Sequence, residues 1–394
     1  MANAAPPIQS GKILPGVKTV GYKLHKNEGK RFYSESVKFH KSFPVPPKVF
    51  VSLCMEDILT GYEHKIKVVA TNIDEEGFSL NFETWDDGKI WSAGATWLAV
   101  SEKLFQDKHA AMGIAQFDED TVDDYPLNEG ADSRYAKAAI KFPAQFSGSP
   151  MMLSGFSSID TDNRYDCRIS STIKDLSSNG FNLQISTWGD SRVRAASVSW
   201  VAFDPIYNQP HEHLQIQQGD PVVKKNKTPG YTLFDKQGSR FCKETIRFQS
   251  PFAREPSVLT CLNHLDVFKD HDLRAAVVGD NVAAHCFDLK FSTWNDSRVW
   301  SVGSAWLAFT YHVPPPPKPQ APPQEKKEAG NNVADDDDET NECKICFSSK
   351  INTVFIPCGH MSSCEQCAKK VTQKKFKCPI CNADIQHVQK IFLV

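Results

Sequence analysis

Apolar residues in the first hundred positions gather into short runs, at 48–53, 65–71, 78–84 and 92–100, that partly alternate with polar ones. The runs are rich in Val, Ile, Phe and Thr, which suits half-buried strands. Turn-forming residues separate them, at 74–77 and 85–88 and again at 177–180 and 189–191. No stretch sustains a 3.6-residue apolar period for long. The pattern predicts short antiparallel strands closed into a sandwich or barrel, so the fold class is mainly β.

The same pattern recurs along the chain. Arg31, Phe39, Trp85 and Trp97 return as Arg134, Phe142, Trp188 and Trp200, and again as Arg240, Phe248, Trp294 and Trp306. Asp57, Asp160 and Asp266 keep the same register, as do Phe78, Phe181 and Phe287. From the Arg to the second Trp no copy needs an insertion or deletion. Such register over many positions marks three copies of one β domain, expected at 8–101, 109–204 and 214–311. Trp97, Trp200 and Trp306 lie in alternating strand sequence and are expected in the core. Trp85, Trp188 and Trp294 stand at a strand end beside a turn, where a ring either packs inward or presents a face to a ligand.

Beyond Thr310 the composition changes. Residues 312–323 are proline-dominated and favour an extended polyproline spacer, and 335–339 form an unbroken acidic run. We expect a disordered Pro-rich and acidic linker over 312–341. A net charge of -2 supplies no global basic field, which counts against nucleic acid as a partner. No apolar run reaches the roughly 18 to 20 residues of a membrane span. With no basic-then-apolar order in the first ten residues, the sequence reads as soluble and cytoplasmic.

Seven of the twelve cysteines fall between Cys343 and Cys381. The other five, Cys54, Cys167, Cys242, Cys261 and Cys286, are scattered and read as reduced thiols. The cluster runs Cys343-x2-Cys346-x11-Cys358-x-His360-x3-Cys364-x2-Cys367-x10-Cys378-x2-Cys381. Four pairs of thiolate or imidazole donors describe two closed tetrahedral zinc sites, one with four cysteines and one with three cysteines and a histidine. No position is left for water, so both Zn2+ ions are structural, and binding them largely drives the folding of so small a segment.

The order of these ligands, with histidine fourth and a final Cys-Pro-Ile-Cys, resembles the RING family. The resemblance implies interleaved pairing: Cys343, Cys346, Cys364 and Cys367 on one ion, Cys358, His360, Cys378 and Cys381 on the other. From Glu342 to Val394, with Phe355-Ile-Pro-Cys-Gly-His360 and Lys390-Ile-Phe-Leu-Val394, the segment is similar to the RINGs of inhibitor-of-apoptosis proteins. That similarity implies a ubiquitin ligase of positional chemistry, with no catalytic residue and no cofactor beyond zinc. The conjugating enzyme would contact Ile345, Pro379 and Met361. Phe392 would touch ubiquitin on a partner RING, in a homodimer formed through the tails. Many active RINGs carry a cation right after the last cysteine, whereas Asn382 stands here.

Residues 43–52 (FPVPPKVFVS), Gly77-Phe78, Thr84-Trp85 and Trp97-Leu-Ala make the repeats resemble H-type lectins, the β-sandwich domains of snail agglutinins and slime-mould discoidins. The resemblance implies galactose or N-acetylgalactosamine as ligand and trimeric assembly, so three copies in one chain would fold as an internal pseudo-trimer. The family's sugar-site acid maps to Glu28, Ala131 and Gln237, and its arginine to Lys65, Arg168 and Arg274. Its site tryptophan maps to Trp85, Trp188 and Trp294, and its aromatic six residues later to Trp91, Arg194 and Trp300. The histidine directly after that tryptophan is replaced by Asp86, Gly189 and Asn295. No copy keeps the full set, and each missing donor or acceptor weakens selection of a sugar hydroxyl.

Two functions follow. One is a RING ubiquitin ligase whose repeats recruit a protein substrate or a glycan. The other is a multivalent galactose- or N-acetylgalactosamine-binding protein whose RING serves mainly for oligomerisation.

Overall fold

Each repeat places its six main strands in two half-sheets, and the neighbouring repeats complete them. The computed structural model describes residues 6–130, 132–208, 214–235, 237–311, 343, 345–346, 349–356, 358–373, 377–378 and 384–390. The expected linker at 312–341 lies outside them. The chain divides into two units, Met1–Pro316 and Pro317–Val394.

In the first repeat the strands are β1 (Ile8–Ile13), β2 (Arg31–Lys38), β3 (Lys48–Ile58), β4 (His64–Thr71), β5 (Gly77–Thr84) and β6 (Ile90–Val100). A short helix, α1 (Glu102–Gln106), leads to the second repeat. That repeat contains β7 (Ala110–Phe117), β8 (Arg134–Lys141), β9 (Met151–Thr161), β10 (Cys167–Lys174), β11 (Gly180–Thr187) and β12 (Val193–Phe203). The third contains β13 (Leu214–Gly219), the short β14 (Val222–Lys224), β15 (Arg240–Arg247), β16 (Ser257–Val267), β17 (Leu273–Ala283), β18 (Cys286–Thr293) and β19 (Val299–Tyr311). The central strands outrun the segments read from hydrophobicity. β3, for instance, continues past Leu53 through a bulge at Cys54, which recurs at Ser157 and Asn263.

The sheets run β1-β6-β3-β17-β18-β15, β2-β5-β4-β9-β12-β7 and β13-β19-β16-β10-β11-β8, with β14 also paired to β19. Along each of these six-strand paths, three strands come from one repeat and three from its neighbour. The antiparallel pairs β4–β9, β10–β16 and β17–β3 cross the three boundaries and close the ring of repeats. The expected internal pseudo-trimer is therefore the observed architecture.

Inside each sandwich one aromatic cluster is built three times. Phe39 meets Phe43 edge-on at 5.0 Å, and the counterparts Phe142–Phe146 and Phe248–Phe252 both meet at 4.8 Å. Phe78, Phe181 and Phe287 stand edge-on to Trp97, Trp200 and Trp306 at 5.5, 5.3 and 5.2 Å, a geometry that suits ring quadrupoles. The latter tryptophans are buried, as expected. Their indoles lie flat against Gly11, Gly113 and Gly219, where an added Cβ would fall within 2.8, 2.7 and 2.6 Å of ring atoms.

A second apolar core runs where β3, β9 and β16 meet, with Phe50, Leu153 and Leu259 in one layer and Leu98, Val201 and Leu307 in another. Along the same three strands, the equivalent positions Ser52, Gly155 and Cys261 converge. A Cβ on Gly155 would sit 2.3 Å from Ser52 Oγ and 2.4 Å from Cys261 Cβ, so three side chains cannot fit. We predict that Gly155→Ala destabilises this body by about 1–3 kcal/mol. Adding Cys261→Gly should recover most of the loss, as read by the shift in thermal unfolding midpoint.

Candidate metal centre and repeat junctions

The C-terminal unit is built on a three-stranded sheet of order β21-β20-β22, with β20 at Thr353–Ile356, β21 at Met361–Ser363 and β22 at His387–Lys390. One helix, α2 (Glu365–Gln373), packs beside it. Asn352 Oδ1 accepts the Glu365 N–H at 2.8 Å and so caps the start of this helix. Among the described residues the apolar cluster is small, Phe355, Ala368, Val371 and Cys378 with Ile385 and Val388 against it, a modest core for an independent unit. Gly359 turns the chain between Cys358 and His360 with φ of 73°, and its N–H reaches Phe355 O at 2.7 Å.

These elements gather the donors into two groups. Cys343, Cys346, Cys364 and Cys367 offer sulfurs all within 4.8 Å of one another, and Cys358, His360 and Cys378 form a second group by the same measure. Cys346 Sγ lies 4.0 Å from Cys364 Sγ, against an edge of about 3.8 Å for a tetrahedron of sulfurs around zinc. His360 Nδ1 is buried with no hydrogen-bond partner among the described residues. The donor chemistry and spacing fit zinc. First and third pairs have come together, and the second pair has met Cys378. Cys381 lies outside the described residues, as do Pro379 and Phe392. Ile345 and Met361 are 39% and 44% exposed, unusual for residues of this size in so small an apolar unit.

In the repeats, the conserved-register Arg proves to be a backbone clip. Arg134 donates to the carbonyls of Asp132, Gly189 and Ser191 at 2.7, 3.2 and 2.6 Å. Arg31 holds Gly29, Asp86 and Gly88 in the same way, and Arg240 holds Gly238, Asn295 and Ser297. The clip shapes the turn after the site tryptophan, where Asp86, Gly189 and Asn295 all take positive φ, at 48°, 61° and 52°. Asp, Gly and Asn are the residues that tolerate that conformation best.

The remaining sugar-site positions gather at the repeat boundaries. In the second-to-first boundary, Trp85 Nε1 donates to Asp160 of the next repeat at 3.2 Å, and Arg194 holds the other oxygen of Asp160 at 2.8 Å. Lys65 pairs with Asp86 at 2.6 Å and with Glu63. In the boundary between third and first, Trp294 Nε1 and Arg274 Nε reach Asp57 at 3.2 and 3.1 Å, and Arg274 also pairs with Asp296 at 2.7 Å and with Asp272. In the boundary between second and third, Arg168 approaches Asp266 at 3.4 Å and pairs with Asp166 and Asp190. There Trp188 stacks on His264 at 5.3 Å. Trp91 and Trp300 are each 37% exposed, and Glu28 is exposed.

The cations mapped as sugar donors are thus committed to carboxylates, and Trp85 and Trp294 are pinned by their N–H. The residues that the mapping missed are Asp57, Asp160 and Asp266. Their shared repeat register was the available signal, but it carried no hint of a partner in another repeat.

This fold and these donor groups define a β-sandwich repeat ring joined to a small metal-finger unit. A profile of the H-type lectin domain matches residues 34–100, 137–203 and 243–309, together just over half of the chain. The chain belongs to the H-type lectin domain family, and it carries a C3HC4-type RING zinc finger matched over 339–388. The E3 ubiquitin-protein ligase APD4 of Arabidopsis thaliana is 46% identical over 50 residues, 13% of this chain and 12% of that protein. Baculoviral IAP repeat-containing protein 8 of Homo sapiens is 46% identical over 55 residues, covering 14% and 22%. The E3 ubiquitin-protein ligase XIAP of Rattus norvegicus is 47% identical over 55 residues, covering 14% and 10%. The chain therefore spans less than a quarter of these relatives, and their likeness is confined to the RING segment. Among solved structures, discoidin II of Dictyostelium discoideum aligns at 12% identity with a TM-score of 0.23, over 53% of this chain and 98% of that one.

Burial raises the carboxyls of Asp57 and Asp160, and it pushes Asp266 up to about 6 against the pull of Arg168 and Trp188. A carboxyl raised in the folded state withdraws stability as pH climbs from its unfolded value near 4 through 6. We predict that Asp266→Asn gains thermal midpoint relative to wild type between pH 4 and 7, measured by parallel melts across that range.

Proposed function

We propose that this protein is a cytoplasmic RING-type E3 ubiquitin transferase whose H-type lectin body selects what is modified. The observation that carries the reading is the pair of interleaved donor groups with Ile345 and Met361 exposed beside them. Two structural zincs, bound by Cys343, Cys346, Cys364 and Cys367 and by Cys358, His360, Cys378 and Cys381, would hold that face rigid. Ile345, Met361 and Pro379 form the contact for a ubiquitin-charged conjugating enzyme, and Phe392 supports ubiquitin across a RING homodimer. With every cysteine of the cluster committed to metal, transfer is an orientation effect on the bound thioester rather than covalent catalysis. Sequence likeness to RINGs of named E3 ligases supports this assignment.

The lectin body would supply recruitment of a protein substrate or of a galactose- or N-acetylgalactosamine-bearing glycan, with up to three boundary sites in one chain. The third repeat keeps the family's residue types at Arg274, Trp294 and Trp300, with Arg274 and Trp294 already engaged by Asp57. The same triplication favours the second reading, a multivalent lectin with a RING used for assembly.

Self-ubiquitination across a panel of conjugating enzymes separates the two. We expect wild type to be active, His360→Ala to be inactive with zinc content falling below about two per chain, and Ile345→Ala with Met361→Ala to be inactive with zinc retained. Phe392→Ala should lower activity without loss of zinc. A wild-type chain silent with every conjugating enzyme, yet bound on a galactoside array, would favour the lectin reading instead.

A further inference from the structure

The three repeats contribute equivalent positions to a small pocket closed by the β3–β4, β9–β10 and β16–β17 loops. It measures about 40 Å³ and is lined by His64, Cys167, Leu273, Asp162, Tyr165 and Lys269, among others. His64, Cys167 and Leu273 are the same position in the three copies, each the first residue of its strand. Glu56, on β3, has Ile159 and Leu265 as counterparts. Glu56, His64 and Cys167 therefore form a polar line where the third repeat has the apolar pair Leu265 and Leu273.

Glu56 is fully buried and lies 2.7 Å from His64 Nε2. Across the ring, His64 Nδ1 stands 3.3 Å from Cys167 Sγ. The result is a line of thiol, imidazole and carboxylate in which the imidazole bridges the other two. Burial alone would lower His64, but Glu56 and Cys167 outweigh it and raise the imidazole to about 10. An imidazolium held between two acids is the usual means of activating a thiol. An ionisable trio also costs more to bury than the Ile and Leu found at the equivalent positions, so packing does not account for it.

We propose that Cys167 is an oxidant-modified thiol, activated by His64 and oriented through it by Glu56, with hydrogen peroxide or a comparably small peroxide as its reactant. The pocket volume suits a molecule of two heavy atoms, whereas larger thiols and peptides are too big for it. The sulfur attacks one peroxide oxygen, an S–O bond forms and the O–O bond breaks. Sulfur is oxidised to the sulfenic acid by two electrons, and the leaving hydroxide takes its proton from the His64 imidazolium to become water. His64 is the general acid of this step, and Glu56, which acts through it, is a positioning residue.

The other buried thiols provide an internal contrast. Burial pushes Cys54 up to about 11 and raises Cys242 and Cys261, and none of the three has an imidazole partner among the described contacts. The test exposes the full, zinc-loaded chain briefly to micromolar hydrogen peroxide and then denatures it in dimedone, so that sulfenic acid is trapped at every cysteine alike and quantified peptide by peptide. We expect Cys167 to be trapped at least about tenfold faster than Cys54 or Cys261. Replacing Glu56→Leu together with His64→Leu installs the residues of the third repeat and should abolish that advantage while the unfolding transition persists. Trapping of wild-type Cys167 no faster than Cys54 would overturn the proposal even if the variant failed to fold. Undiminished trapping in the folded double variant would overturn it equally.

Discussion

Backbone hydrogen bonds between β4 and β9, β10 and β16, and β17 and β3 tie each repeat to both of its neighbours. A strand edge left open is a template for aggregation, and here the six inner edges of the half-sheets are consumed pairwise inside one chain. Everything else in the body is arranged around that commitment. The bulge in each central strand, the glycine that yields to two neighbours at Gly155, and the apolar layers on β3, β9 and β16 all serve three strands that must approach one another closely.

The carboxylates Asp57, Asp160 and Asp266 sit where these strands meet and are the electrostatic counterpart of the pairing. Each receives a cation and an indole N–H from across or beside the boundary. Stranding one partner of a buried pair typically costs about 3–5 kcal/mol, so such a network tolerates drift poorly. It also explains why the cations at positions 65, 168 and 274 are poor evidence for sugar binding by themselves. Their donors are already engaged, and a glycan would have to share or displace carboxylates rather than find free hydrogen-bonding groups.

Local spacing made much of this legible. The two-residue gaps in the cysteine cluster marked which sulfurs share a knuckle, while the RING resemblance implied which knuckles come together. Fixed offsets between tryptophans marked the three copies, and strand alternation placed Trp97, Trp200 and Trp306 inside. What sequence did not reveal depends on long-range pairing. Arg274 and Asp57 are 217 positions apart, and no local pattern in either segment announces the other. Likewise the Arg repeated at 31, 134 and 240 marked the register without disclosing that it binds carbonyls. A guanidinium that fastens backbone looks the same in sequence as one that binds a ligand.

Because every sheet straddles a boundary, the ring has a fixed stoichiometry. Losing one repeat would remove half of two sheets and bare the cut edges of both survivors, and inserting a fourth would require all three boundaries to change their angle. Such a body can diversify residue by residue, as His64, Cys167 and Leu273 have at one common position, yet it cannot grow or shrink by whole units. Its copy number is set by closure, in contrast to open solenoids that lengthen freely.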